Sequence, residues 1–161
     1  MAGKLIILIG PPAAGKSTWL RRFSGEVVST DDIRLKEFGV QFDPLVEPDV
    51  WRLAYRRVAE ALAAGKEVGF DATNTTRARR RPLIRLGKEA GAFIEAVVFP
   101  QELEVLMKRN KVRPPGKRVP DGVVITKYQE LEMPTLDEGF DSIKIIKGDT
   151  GTNMKRENEN S

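Results

Sequence analysis

The sequence predicts one α/β domain built on a parallel sheet, and three observations carry that expectation. Short apolar runs alternate with helical patterns along most of the chain, which is how strand–helix–strand units with right-handed crossovers read. The first run, Lys4 to Gly10, is continuously apolar and rich in β-branched residues, the mark of a central strand covered on both faces. A loop bounded by glycines and ending in Lys16-Ser17 follows it directly. The length of 161 residues suits a single compact domain, and no internal repeat or second domain is evident.

Each element follows from local pattern. A helix is expected over Gly15–Ser24, a short strand over Glu26–Ser29 and a short helix over Asp31–Phe38. After a loop at 39–47, Val50, Leu53, Ala54, Val58, Ala61 and Leu62 recur at helical spacing until Gly65 ends the pattern. Lys66–Phe70 reads as a strand, Thr76–Ala90 as an arginine-rich helix, Ala92–Phe99 as a strand and Pro100–Arg109 as a helix. Lys111–Pro120 is expected to be a mobile loop because it combines prolines, a glycine and basic residues. Asp121–Glu132 reads as the last long helix and Ile143–Lys147 as the final strand. The domain is therefore expected to span residues 1–147, with a lid at about 109–120, and the polar stretch 148–161 to be a disordered tail.

Composition narrows the chemistry. There are no cysteines, which rules out disulfides and thiolate metal sites. There are no histidines, so proton transfer must fall to carboxylates, lysine or tyrosine. The net charge is +4 and the pI about 9.4, compatible with a polyanionic substrate. No run is long and apolar enough to cross a membrane, and a cytoplasmic protein is expected.

Gly10-Pro-Pro-Ala-Ala-Gly15-Lys16-Ser17 fits the phosphate-loop pattern G-x-x-x-x-G-K-[ST]. Its context, after a buried-type strand and before a helix, is the one the chemistry needs. The backbone around Pro12, Ala13, Ala14 and Gly15 can wrap a phosphate chain, with Ser17 and Thr18 at the opening of the helix. Lys16 is expected to bridge the β- and γ-phosphates of ATP, and Ser17 to ligate magnesium.

Two acidic motifs lie at expected carboxyl ends of strands, where ligands of parallel sheets collect. In Ser29-Thr-Asp31-Asp32-Ile-Arg34, either Asp31 or Asp32 is a candidate to take the proton of an acceptor hydroxyl, although the same residues also serve as an ordinary helix cap. In Asp71-Ala-Thr-Asn74, Asp71 is placed either to hold magnesium through water or to anchor an active-site arginine, and Asn74 is expected beside the substrate. The run Lys108-Arg109-Asn110-Lys111-Val112-Arg113, continuing to Val119-Pro120, concentrates cations that a closing lid would bring to the γ-phosphate. The arginines Arg77, Arg79, Arg80, Arg81 and Arg85 read as a solvated helix face, and Trp19, Trp51 and Tyr55 as packing residues.

Taken together, the blocks Gly10–Trp19, Asp31–Arg34, Asp71–Arg80 and Lys108–Pro120 resemble the polynucleotide 5′-hydroxyl kinase family of P-loop kinases, over Lys4 to about Glu132. The lid block is the more specific of the four. The resemblance implies that ATP, or another nucleoside triphosphate, is the donor with Mg2+, and that DNA or RNA 5′-hydroxyl ends are acceptors. It implies that Asp31 is the general base and that Arg34 holds a phosphate of the acceptor strand. Asp71 would support the site. Arg109 and Arg113 would be lid arginines, Arg113 nearer the transferring phosphate, and Val119 would lie against the terminal base. The family usually has glycine where Ala13 or Ala14 stands. The phage enzyme of this family carries a separate phosphatase domain, and no 3′-phosphatase activity is expected here. The residues themselves leave open a P-loop kinase for a sugar or nucleoside, or an ATP-binding switch with feeble transfer. They do not address oligomeric state.

Overall fold

The computed structural model describes residues 2–147, so the tail expected at 148–161 lies outside the described residues. Five strands form the sheet: β1 (Lys4–Ile9), β2 (Glu26–Ser29), β3 (Glu67–Asp71), β4 (Phe93–Val98) and β5 (Ser142–Ile145). Six helices connect them: α1 (Lys16–Leu20), α2 (Thr30–Phe38), α3 (Glu47–Ala63), α4 (Arg77–Glu89), α5 (Leu103–Lys111) and α6 (Asp121–Glu130). The strand order is β2-β3-β1-β4-β5, and every neighbouring pair is parallel.

The alternation of side chains along β1 builds both layers. Leu5, Ile7 and Ile9 point to one face and join Val50, Ala54, Val58, Leu62, Leu83 and Ile84 of α3 and α4. Ile6 and Leu8 point to the other, where they meet Phe99, Leu106 and Val124, with Trp19 and Phe23 at the margin. A strand buried on both faces needs an unbroken apolar run, which is why the alternating pattern of a half-exposed strand is missing from it. Gly87 lets α4 press onto the sheet, because a Cβ there would stand 2.7 Å from Cδ1 of Ile94.

The order also fixes where a ligand can bind. From β1 the chain moves to one edge of the sheet, returns through β3, and then crosses to β4 on the other side. Ligands of such sheets collect at the carboxyl ends of strands near this reversal. The glycine-rich loop leaves β1 there. Ser29 and Asp71 stand in register at the ends of β2 and β3.

Several boundaries differ from expectation. The first helix ends at Leu20 rather than Ser24, because Arg22 N–H and Phe23 N–H reach back only three residues, to Trp19 and Leu20. α6 stops at Glu130 rather than Glu132. The N–H of Glu132 is drawn to the Thr75 carbonyl at 2.8 Å, and its carboxylate accepts from Arg77 N–H at 2.6 Å.

The larger correction concerns Arg80, expected on a solvated face but fully enclosed. Its guanidinium makes a two-pronged bond to the buried Glu138, at 2.9 and 3.0 Å, and donates to the Asn74 carbonyl at 2.9 Å. Glu138 sits in a single 3-10 turn, Leu136–Glu138, just before β5. Helical periodicity could not find this pair, since its partner is 58 residues away. Arg80→Leu should lower stability by about 3 kcal/mol or more, because it strands a buried carboxylate. Arg80→Leu combined with Glu138→Leu should recover most of that loss. Urea denaturation midpoints of the two variants measure both effects.

Candidate active site

The loop after β1 takes a shape that explains its glycines and tests its alanines. Gly15 has φ 115°, open only to glycine without strain, and Ala13 has φ 70° in the left-handed region. The resembling family's preference for glycine at this point therefore has a physical cause. Ala13 adopts the glycine-like conformation at a cost of roughly 1–2 kcal/mol. The N–H of Gly10 is fixed to the Thr73 carbonyl at 3.0 Å, which ties the start of the loop to the turn after β3.

Lys16 folds back over the loop. Its Nζ donates to the carbonyls of Gly10 at 2.6 Å and Pro11 at 2.9 Å. Burial pushes its ammonium down to about 8; Asp71 opposes that shift, Arg113 adds to it, and Asp31 opposes it. Asp71 is the strongest of the charges acting on Lys16, and burial holds the Asp71 carboxyl above the ordinary range against the pull of Lys16. Two residues distant in sequence, one from β3 and one from the segment after α5, thus act electrostatically on the lysine of the loop.

Asp31 lies on the first turn of α2, exposed, with Arg34 Nη1 donating to it at 2.7 Å. The Ser29 hydroxyl caps this helix by accepting from Asp32 N–H at 3.2 Å. Arg34 also makes a two-pronged bond to Glu47, Nε to Oε2 at 2.6 Å and Nη2 to Oε1 at 2.9 Å. Burial works against the charge on Arg34, but Glu47 and Asp31 outweigh it and raise its pKa. The bonds from Arg34 are the main reason the Glu47 carboxyl is held low. Glu47 was missed by sequence reasoning because an acid at a helix start has an ordinary capping explanation. Phe42, exposed, lies with its ring 5.9 Å from the Arg34 guanidinium carbon.

The segment between α5 and α6 has neither helix nor strand. Its ends are fastened by Asn110, which is fully buried. The Asn110 amide donates to the Val119 carbonyl at 2.7 Å, and its oxygen accepts from Val119 N–H at 3.1 Å. This gives a physical reason for the spacing from Asn110 to Val119. The Val119 side chain packs on the apolar cluster of Ile6, Leu8 and Phe99. Arg109, on the last turn of α5, donates to the Ala13 carbonyl at 3.2 Å. Arg113 lies just beyond that helix, close enough to Lys16 to depress it, and its Nη1 is buried with no hydrogen-bond partner among the described residues.

Asn74, expected beside the substrate, is fully buried at φ 47°, and its amide donates to the Leu8 carbonyl at 2.7 Å, which ties the turn after β3 to β1. Its Oδ1 is buried with no hydrogen-bond partner among the described residues.

A triphosphate fits these residues. Lys16 and Arg113 repel one another, and the buried, unpartnered Nη1 of Arg113 is a donor that an anion would satisfy. Among the described residues no cluster of three or more histidine, cysteine, aspartate or glutamate side chains could cage a metal. Magnesium needs no such cage, since it is commonly bound by one or two protein oxygens with phosphates and water. Ser17, exposed at the start of α1, is the group placed to contribute.

The titration of Lys16 gives a measurable consequence. A bound polyphosphate favours the charged ammonium, so binding takes up a proton wherever the free lysine is neutral. Affinity for ATP is expected to fall as pH rises above about 8, approaching about tenfold per pH unit. Calorimetric titrations between about pH 7 and about pH 10 test this, and an unchanging Kd would contradict the placement of Lys16 against the phosphates.

Comparisons with known proteins agree with this fold. In the Pnkp1/Rnl/Hen1 RNA repair complex, a chain 29% identical superposes with a TM-score of 0.71 over 81% of the present chain. This chain spans only 44% of that one. Kti12 from Chaetomium thermophilum, in complex with ADP-AlF3, gives a TM-score of 0.72 at 16% identity, covering 90% of this chain and 89% of that one. A gluconokinase from Sinorhizobium meliloti gives 0.56 at 19% identity, covering 92% and 83%. These likenesses establish the P-loop kinase fold. No curated protein matches the chain. The family model described as an AAA domain, AAA_33, matches residues 5–132, and the chain belongs to that family.

Proposed function

We propose that this protein is an ATP-dependent polynucleotide kinase that transfers the γ-phosphate to the 5′-hydroxyl end of DNA or RNA. The observation that carries the reading is the phosphate loop with its polar surroundings: Lys16 Nζ bonds the Gly10 and Pro11 carbonyls, Arg109 bonds the Ala13 carbonyl of the same loop, and Asp31, held by Arg34, follows β2 at the same end of the sheet. Cations at the loop and a carboxylate near it are the groups phosphoryl transfer needs. The lid block that ends in Val119-Pro120 and the likeness to a chain of an RNA repair complex support a nucleic-acid acceptor over other hydroxyl compounds.

In this reading the acceptor oxygen forms a bond to the γ-phosphorus while the bond to the β–γ bridging oxygen breaks and ADP leaves. Asp31 takes the hydroxyl proton, and Arg34 holds Asp31 in place through the 2.7 Å bond. Two of the five N–H donors of Arg34 stay available for an acceptor phosphate after its bonds to Glu47 and Asp31. Lys16, Arg109 and Arg113 stabilise charge on the transferring group. Magnesium, held in part by Ser17, would neutralise β- and γ-oxygens. Val119 offers an apolar contact to the terminal base.

Asp31→Asn should keep ATP binding and lose transfer by about a hundredfold or more, with Asp32→Asn milder because the backbone of Asp32, not its side chain, serves the cap. Lys16→Ala should lose transfer by a similar order. The direct test incubates the protein with γ-labelled ATP, magnesium and either 5′-hydroxyl oligonucleotides or a panel that includes gluconate and nucleosides. Label on the oligonucleotide supports the proposal. Label only on a small hydroxyl compound would identify a small-molecule kinase.

A further inference from the structure

Arg79 differs from every other arginine of α4. Its guanidinium carbon lies 4.2 Å from the centroid of the Trp51 ring. A guanidinium stacked on an indole is held by its face, which leaves the N–H donors on its edge. Among the described residues no hydrogen bond or ion pair engages those donors, and the residue is exposed. Glu47 and Glu130 both feel the charge of Arg79, but each is already taken. Glu47 accepts from Arg34 and from Trp51 Nε1 at 3.2 Å. Glu130 is bonded by the Thr75 hydroxyl and by Lys127 at 3.1 Å. A cation with a fixed face, an open edge and occupied acidic neighbours is a preformed contact for an anion from outside the chain.

Its location decides which anion. Asp31 bonds Arg34, Arg34 bonds Glu47, Glu47 accepts from Trp51, and Trp51 carries Arg79. These five side chains form one continuous strip from the proposed base to Arg79. A strand whose terminal hydroxyl meets Asp31 and which runs along this strip brings a later backbone phosphate to Arg79. We propose that Arg79, held on Trp51, is a subsite for an acceptor-strand phosphate downstream of the end being phosphorylated. The inference rests on the polynucleotide reading above. It makes the enzyme favour acceptors long enough to span the strip.

The test measures kcat/KM for wild type, Arg79→Gln and Arg79→Lys with 5′-hydroxyl acceptors from a nucleoside 3′-monophosphate to a hexanucleotide, at several salt concentrations. Arg79→Gln is expected to lose about tenfold on the hexanucleotide, mainly through KM, and far less on the monophosphate. Its salt dependence on the hexanucleotide should flatten by about one phosphate's share, a slope change of roughly 0.7. Arg79→Lys should retain that slope. Equal losses on all acceptors, together with a lowered Tm, would mean that Arg79 only braces Trp51 and would overturn the subsite. So would unchanged hexanucleotide kinetics in Arg79→Gln while wild type transfers normally. If wild type labels no 5′-hydroxyl end at all, the functional reading fails and the subsite fails with it.

Discussion

The site depends on keeping the Lys16 ammonium charged in a place that penalises charge. Burial alone lowers its proton affinity, and Arg113 lowers it further. Two carbonyls of the loop and the carboxylates of Asp71 and Asp31 offset this. The parallel register of β2 and β3 brings those acids to the end of the sheet where the loop begins. The segment between α5 and α6 contributes the opposing cation, Arg113. A bound polyphosphate would offset the Lys16–Arg113 repulsion by attracting both cations to one ligand.

The surrounding structure fixes these groups relative to one another. Asn74 ties the turn after β3 to Leu8 of β1, and Arg80 ties the same turn to Glu138 near β5. Thr75 meets Glu130 at the end of α6, while Asn110 fastens Val119 just before α6 begins. The segment between α5 and α6 is thus anchored at both ends to elements that also hold the sheet end. Buried polar bonds of this kind are costly to leave half-made, so they specify one arrangement of turn, lid and sheet.

Much of this was legible in the residues. The apolar run of β1 and the glycine-lysine-serine spacing after it place the phosphate loop, and strand–helix alternation predicts the parallel sheet. The fold sets Asp31 and Arg34 after β2, Asp71 at the end of β3 and Arg109 against Ala13 of the loop. What stayed hidden was pairing across distance. Glu138, Glu130 and Glu47 each look like ordinary surface acids until the fold sets an arginine or a threonine against them. Asn74 looks like a polar active-site residue, because a left-handed turn conformation and a hydroxyl-rich neighbourhood leave the same local signature as a binding loop. Arg80 and Arg79 are adjacent, yet one is enclosed and the other exposed. Only the phase of α4 against the sheet separates them.

In the proposed reading, Arg113, which acts on Lys16, serves the terminal phosphate of a triphosphate. The most direct measurement is the Kd for ATP and for ADP, with magnesium, in the wild-type protein and in Arg113→Gln. The wild type should bind ATP at least about tenfold more tightly than ADP, as an added charge-assisted contact predicts, and Arg113→Gln should lose most of that preference with its ADP affinity preserved. Equal wild-type affinities for ATP and ADP, or a loss of ADP binding in Arg113→Gln as large as the loss of ATP binding, would contradict it.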